Sequence, residues 1–273
     1  MRLGMVGTGP TARVVEEQPG GLRPVSHSGD LAALIAQAIP LSALAGEAAA
    51  VREPLAAPLR PGKIIAIGLN YLDHVRESGG TPPARPLVFA KFPSSVTGPE
   101  DTIAIDRRLT ERVDWEVELG VVIGRRMRAV DASHALDHVF GYTVANDVSA
   151  RDVQFADGQW VRGKSFDTFC PLGPVVVTAD EVPDPQRLAL TTRVNGEVVQ
   201  QSNTSEMIFG VAELLAFCSA GFTLEPGDLL LTGTPWGCGE FMDPKRSLSA
   251  GDVVETEVEG IGTLRNRVVE VAP

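Results

Sequence analysis

Glu116 and Glu118 lie two residues apart in the run Asp114-Trp115-Glu116-Val117-Glu118-Leu119-Gly120-Val121-Val122-Ile123. On a β-strand successive side chains alternate faces, so these two carboxylates share a side and stand roughly 7 Å apart along the chain. Trp115, Val117 and Leu119 take the opposite face, toward a core. Two anionic groups in a segment apolar enough to be buried need compensation, and a divalent cation supplies it. Oxygen-only donors suit Mg²⁺ or Mn²⁺, with Ca²⁺ admissible, rather than zinc. Asp147 follows the apolar-rich run Tyr142-Thr143-Val144-Ala145-Asn146. There it stands at the exit of an expected strand, where a carboxylate can complete a site begun on a neighbouring strand. Taken alone, an exposed strand face at Glu116 and Glu118 and a helix N-cap at Asp147 are competing readings. His74 and Glu77 are three residues apart. If 70–77 forms a helical turn they share a face, and the carboxylate orients the imidazole and raises its basicity.

The elements that must position these groups are mostly strands. Residues 2–6 and 12–16 read as short strands around the turn Gly7-Thr8-Gly9-Pro10, and Asp30 caps a predicted helix over 31–38. An Ala- and Pro-rich stretch then runs to Pro61-Gly62, which sets a small N-terminal region at 1–61 apart from the remainder, 62–273. Within the latter, 64–67 and 114–123 read as strands, and Asn195-Gly196 between two β-patterned runs is a strong hairpin signal. A second hairpin is expected around Glu259-Gly260-Ile261-Gly262. The clearest helix spans 205–220, with Met207, Ile208, Val211, Leu214, Leu215 and Cys218 on one face and Gly221 as its stop. Many strands and few helices predict an α+β fold, predominantly β, of roll or barrel-like form rather than a doubly wound sheet.

Composition narrows the function. The 273 residues carry 24 Lys and Arg against 35 Asp and Glu, a formal charge of −11. That excess argues against nucleic acid or an anionic membrane as partner, since both need clustered bases. It does not argue against a small anionic substrate, because a metal ion and a few local bases override net charge. Three widely spaced cysteines form no zinc or disulfide pattern, and no apolar run is long enough to span a bilayer, so the cytoplasm is the expected compartment. Gly4, Gly7 and Gly9 are not followed by a βαβ unit, and His134 with His138 lack a third ligand, so neither is taken as a cofactor site. Cys218 is read as helix core and Cys238 as a small apolar filler.

Six blocks, in order, resemble the fumarylacetoacetate hydrolase family from Lys63 to Val269. They are Gly68-Leu69-Asn70-Tyr71-Leu72-Asp73-His74-Val75-Arg76-Glu77, Phe89-Ala90-Lys91-Phe92-Pro93-Ser94-Ser95, Glu116-Val117-Glu118-Leu119-Gly120, Asn146-Asp147-Val148-Ser149-Ala150-Arg151-Asp152, Gly163-Lys164-Ser165-Phe166-Asp167 and Gly233-Thr234-Pro235-Trp236-Gly237. The resemblance implies a mixed β-roll catalytic domain at 62–273, a homodimer, and one Mg²⁺ or Mn²⁺ held by Glu116, Glu118 and Asp147. It implies that His74 and Glu77 act as a lid dyad activating water, with Lys164 meeting oxyanion charge, so that His74, Glu77 and Lys164 are the candidate catalytic residues. Arg151, Gln154 and Thr234 match substrate-binding positions. The expected reaction is hydrolytic C–C cleavage of an acylpyruvate-type 2,4-dioxo acid. Family alternatives are decarboxylation of an oxaloacetate-type acid, isomerisation of a 2-hydroxyhepta-2,4-diene-1,7-dioate-like acid, and sugar-acid or ureidoglycolate-type hydrolysis or lysis.

Overall fold

Ile64 to Gly68 is a run of five wholly buried residues at the centre of the molecule, and the strand it forms leads directly into the helix bearing His74. The structure, a computed structural model, describes residues 1–7, 9–27, 29–44 and 50–271. Thr8 of the first expected turn and residues 45–49 of the Ala-rich stretch lie outside the described residues. In chain order the elements begin β1 (Arg2–Val6), β2 (Arg13–Gln18), β3 (Gly21–Pro24), α1 (Leu31–Ala36), β4 (Leu55–Ala56), β5 (Ile64–Gly68), α2 (Leu72–Glu77) and β6 (Leu87–Lys91). They continue with β7 (Val96–Thr97), β8 (Ile103–Ile105), β9 (Val113–Asp114), β10 (Val117–Ile123), α3 (Ala132–Ala135), β11 (Val139–Asn146) and β12 (Ser149–Ala150). The remainder are α4 (Arg151–Asp157), α5 (Val161–Lys164), β13 (Cys170–Thr178), β14 (Ala189–Val194), β15 (Glu197–Asn203), α6 (Val211–Gly221), β16 (Leu229–Leu231), β17 (Val253–Val258) and β18 (Gly262–Glu270). The fold is α+β and predominantly β, as expected.

The main sheet runs β3-β2-β1-β13-β11-β10-β16-β5-β6, and β15-β14-β17-β18-β8 forms a second sheet. The path of the main sheet is open, with β3 and β6 at its ends rather than closed into a barrel. β1 brings the N-terminal segment into this sheet by pairing antiparallel with β13. The first hairpin matches expectation, with Met5 opposite Val14 and the second strand reaching Gln18. Asn195 and Gly196 both take positive φ, +54° and +82°, as a tight two-residue β-hairpin turn requires.

Register explains where chemistry can happen. β10 lies antiparallel to both β11 and β16, and β16 lies parallel to β5. The start of β10 therefore meets the ends of β11, β16 and β5 on one rim of four adjacent strands. Glu116 and Glu118, Asp147, the loop after Leu231 and the segment leading to His74 all leave from that rim. Ligands in layered β-containing folds gather where such strand ends leave backbone groups free to face a crevice.

Two elements differ from the sequence expectation. The strand over 114–123 is interrupted at Trp115 and Glu116, because side chains replace the ladder there. Asn146 Oδ1 accepts the Glu116 N–H at 3.0 Å and Gln200 Oε1 accepts the Val117 N–H at 3.0 Å. The helix over 205–220 starts only at Val211. Asn70 draws 208–209 into a loop, its backbone carbonyl taking the Ile208 N–H at 2.7 Å and its side-chain carbonyl the Phe209 N–H at 3.0 Å. Glu213 then caps the shortened helix by accepting the Gly210 N–H at 2.9 Å.

Candidate active site

Glu116, Glu118 and Asp147 come together as a buried cluster whose donor oxygens all lie within 4.8 Å of one another. β10 supplies Glu118 and its lead-in supplies Glu116, while Asp147 follows the last residue of β11 and donates its own N–H to the Glu116 carbonyl at 2.9 Å. Each carboxylate is fixed by its own set of partners, with Lys164 shared by Glu116 and Asp147. Glu116 meets Lys164 Nζ at 2.7 Å and Arg151 Nη1 at 2.7 Å through its two oxygens. Asp147 meets Lys91 Nζ at 2.6 Å and Lys164 Nζ at 2.8 Å. Glu118 Oε2 accepts the Gly233 N–H at 2.7 Å.

Three carboxylates with Asp114 face three bases, Lys91, Lys164 and Arg151, all of them buried. The balance leaves excess negative charge in the cluster. Burial, reinforced by the charges of Asp147 and Glu116, holds the Glu118 carboxyl well above the usual carboxylate range. Burial pushes Glu116 in the same direction, but Lys164 and Arg151 outweigh it and hold the group at about 2. Burial works against charge on Lys164, and the carboxylates of Asp147 and Glu116 overcome it and keep the ammonium protonated. An all-oxygen donor set of this kind, in need of positive charge, fits a hard divalent cation.

His74 lines the same cavity as Glu116 of this cluster. As expected, it and Glu77 share a helix face, with Nδ1 2.7 Å from Glu77 Oε1. The other Glu77 oxygen accepts the Gly237 N–H at 2.8 Å, and the edge of Phe241 packs on the imidazole at 5.3 Å between centroids. Gly79 ends the helix in the left-handed region at φ +66°.

His74, Glu116, Arg151, Gln154, Lys164 and Thr234 line one cavity of about 80 Å³. Phe89, Phe155, Trp160 and Phe241 form its apolar wall. Glu77 and Asp147 bond to the lining residues His74 and Lys164, and Glu118 lies in one cluster with Glu116 and Asp147, so the nine residues singled out from the sequence gather about one cavity. Arg151 and Gln154 sit one turn apart on α4, joined by a 3.1 Å hydrogen bond. Lys164 ends α5, which packs so closely on α4 that a Cβ at Gly163 would lie 2.7 Å from the Gln154 nitrogen.

The sequence reading assigned no role to several groups that build this site. Lys91 bridges Asp147 and the Lys164 carbonyl, and in the sequence it stands only within the family-like block from Phe89 to Ser95, with no role attached. Asp114 takes Arg151 Nε at 2.8 Å and the N–H groups of Gly239 and Glu240 at 2.8 and 3.1 Å. Its signal was parity, since it lies two residues before Glu116. Gln200 reaches across to donate to Thr234 Oγ1 at 3.0 Å, and nothing in its sequence surroundings pointed there.

Fold and site define an enzyme class, and comparison supports it. A family model described as the fumarylacetoacetate (FAA) hydrolase C-terminal region matches residues 63–269, so the chain belongs to the fumarylacetoacetate hydrolase family. Among its relatives, oxaloacetate tautomerase Fahd2a, mitochondrial, of Rattus norvegicus is 50% identical over 216 residues, spanning 79% of this chain and 69% of that protein. Fumarylacetoacetate hydrolase (EaFAH) from psychrophilic Exiguobacterium antarcticum superposes with a TM-score of 0.88 at 38% identity, covering 99% of this chain and 100% of that one. The 2-hydroxyhepta-2,4-diene-1,7-dioate isomerase from Mycobacterium marinum gives a TM-score of 0.81 at 37% identity, with both chains fully covered. No helix among the described residues is long and apolar enough to cross a membrane.

Proposed function

We propose that this chain catalyses Mg²⁺- or Mn²⁺-dependent proton transfer at the carbon beside the keto group of a small 2-oxo acid, with oxaloacetate-type keto–enol tautomerisation as the leading reaction. The observation that carries this reading is the meeting of two units at one cavity, the Glu116–Glu118–Asp147 cluster and the His74–Glu77 pair. The 50% identity to a protein named oxaloacetate tautomerase favours this chemistry within the family.

A divalent cation held by Glu116, Glu118 and Asp147 would supply Lewis acidity toward the keto and carboxylate oxygens of the acid. The chain's own groups do the rest. Thr234, held by Gln200, offers its hydroxyl to the substrate carboxylate. Lys164, kept charged by its carboxylate neighbours, presents an ammonium where negative charge develops on oxygen. Glu77 fixes the imidazole from Nδ1, so the free edge of His74 takes the proton from carbon and gives it to the enolate oxygen, or carries it the other way. Glu77 is a positioning residue in this scheme. The aromatic wall gives the cavity an apolar side, next to which each of these interactions is stronger than in open water.

C–C hydrolysis of an acylpyruvate is a second reading. The same His74–Glu77 pair favours it, because an oriented imidazole can deprotonate water as well as a carbon acid. One panel separates them. The protein is assayed with enol oxaloacetate, acetylpyruvate and fumarylpyruvate, with Mg²⁺, Mn²⁺ or EDTA. Chelator-sensitive decay of the enol absorbance, without carbon dioxide or pyruvate, supports tautomerisation. Pyruvate released from an acylpyruvate supports hydrolysis. Turnover that survives exhaustive metal removal would overturn both.

A further inference from the structure

We infer that His74, Glu77 and Cys238 form a second metal site, of softer donors than the carboxylate cluster and suited to Zn²⁺. A ring nitrogen, a carboxylate oxygen and a thiol sulfur from these residues lie within 4.8 Å of one another. Tetrahedral zinc with ligand bonds of about 2.0–2.3 Å holds its donors roughly 3.3–3.8 Å apart, so side-chain shifts on the order of 1 Å close the triad on an ion. The donors divide the two sites by chemistry. Three carboxylates suit Mg²⁺ or Mn²⁺, whereas imidazole and thiolate select zinc.

Cys238 is held at this place by its backbone. Gly237 on one side donates its N–H to Glu77, and Gly239 on the other donates to Asp114. Neither neighbour has room for a side chain, since a Cβ would meet the Val199 carbonyl at 2.1 Å or the Arg246 carbonyl at 2.2 Å. The thiol is fully buried, yet among the described residues its only hydrogen-bond contacts are long, 3.9 Å to Gln200 Nε2 and 4.0 Å to the Pro235 carbonyl. Binding would exchange its proton, released to solvent, for a bond to the ion. His74 lines the cavity, so the ion enters by the route a substrate uses and its fourth position is left to water. An imidazole bound to zinc cannot carry a proton, so zinc would inhibit the reaction proposed above. That consequence rests on the role of His74, while the site itself does not.

Co²⁺, a spectroscopic substitute for zinc, separates the two questions. Full-length protein is saturated with Mg²⁺ and titrated with Co²⁺, then with Zn²⁺. We expect near-ultraviolet thiolate-to-metal charge-transfer absorption at one equivalent, removed by Zn²⁺ and absent from Cys238→Val. The substitution should weaken Zn²⁺ inhibition beyond the roughly 10- to 100-fold that outer-shell partners are worth, with the Mg²⁺-supported rate unchanged. Cys238→Ser serves the same purpose should the valine variant fold poorly. Absent charge transfer in wild type, its persistence in Cys238→Val, or Zn²⁺ inhibition equal in both proteins would each overturn the proposal. Charge transfer without inhibition would uphold the site and count instead against His74 as the proton carrier.

Discussion

Gly233 donates its N–H to Glu118 at 2.7 Å from a backbone at φ +95°, so the loop after β16 can hold this carboxylate only if residue 233 is a glycine. A Cβ there would also press on Asn70 Cβ at 3.0 Å and the Ile67 carbonyl at 3.1 Å. Gly233→Ala should cost about 1–3 kcal/mol through strain at that position and tilt the N–H away from Glu118. Mn²⁺ affinity, measured by calorimetric titration, should fall with it. Unchanged affinity in a destabilised but folded variant would separate Glu118 from the metal.

How far the site could be read beforehand follows from what each residue depends on. Glu116 with Glu118, and His74 with Glu77, are local relations, set by the period of a strand and a helix turn. Asp147 was legible as a carboxylate at the end of a strand, and the family resemblance set it apart from a helix N-cap. Lys91 is different. β6 and β11 are separated in the sheet by β5, β16 and β10, and only the curl of that sheet brings Lys91 Nζ to Asp147. The same holds for Gln200, whose carbonyl oxygen interrupts the strand expected over 114–123, and for Asn70, whose side chain delays α6 to Val211. A strand pattern reports which face is apolar, and it is silent about a distant side chain that takes over a backbone hydrogen bond.

Lys91 provides a test of that curl. Its ammonium is the only base other than Lys164 within ion-pair distance of Asp147 among the described residues, and all three groups are buried. Lys91→Met keeps the length of the side chain and removes the charge. Breaking a buried pair from one side costs about 3–5 kcal/mol, and urea denaturation in EDTA should show a loss of that order. A loss under about 1 kcal/mol would mean that this pair does not hold the roll together.

Glu116 and Glu118 should act on pH in opposite directions. Glu116 is held at about 2 in the fold against about 4.3 for an unfolded glutamate, so the stability it contributes is present above that unfolded value and is lost as pH falls toward about 2. Burial and two carboxylate neighbours raise Glu118, so its contribution is present in acid and fades as pH rises above about 4.3 through its raised value. A cation must displace the Glu118 proton. Apparent Mn²⁺ affinity should therefore fall about tenfold per unit of pH decrease wherever that proton is bound in the metal-free protein. Calorimetry in buffers of different ionisation heat should detect about one proton released per ion. Binding that neither varies with pH nor releases a proton would exclude Glu118 as a ligand.

Arg151 offers the sharpest distinction between charge and shape. Its guanidinium spans two carboxylates, with Nε and Nη2 at 2.8 and 2.7 Å from Asp114 Oδ2 and Nη1 at 2.7 Å from Glu116. Lysine keeps the charge but has no planar fork, so Arg151→Lys must leave one of the two acids unpaired. Asp114 also receives the Gly239 and Glu240 N–H groups, whereas Glu116 has Lys164 as its remaining base. Glu116 is therefore the acid whose position loosens, and metal affinity or turnover should drop by roughly 10- to 100-fold, the scale of outer-shell partners. Raising Mn²⁺ should restore most of the rate if Arg151 acts by aligning Glu116. A loss of kcat that saturating Mn²⁺ does not repair would assign Arg151 to the substrate instead, in contact with its carboxylate inside the cavity.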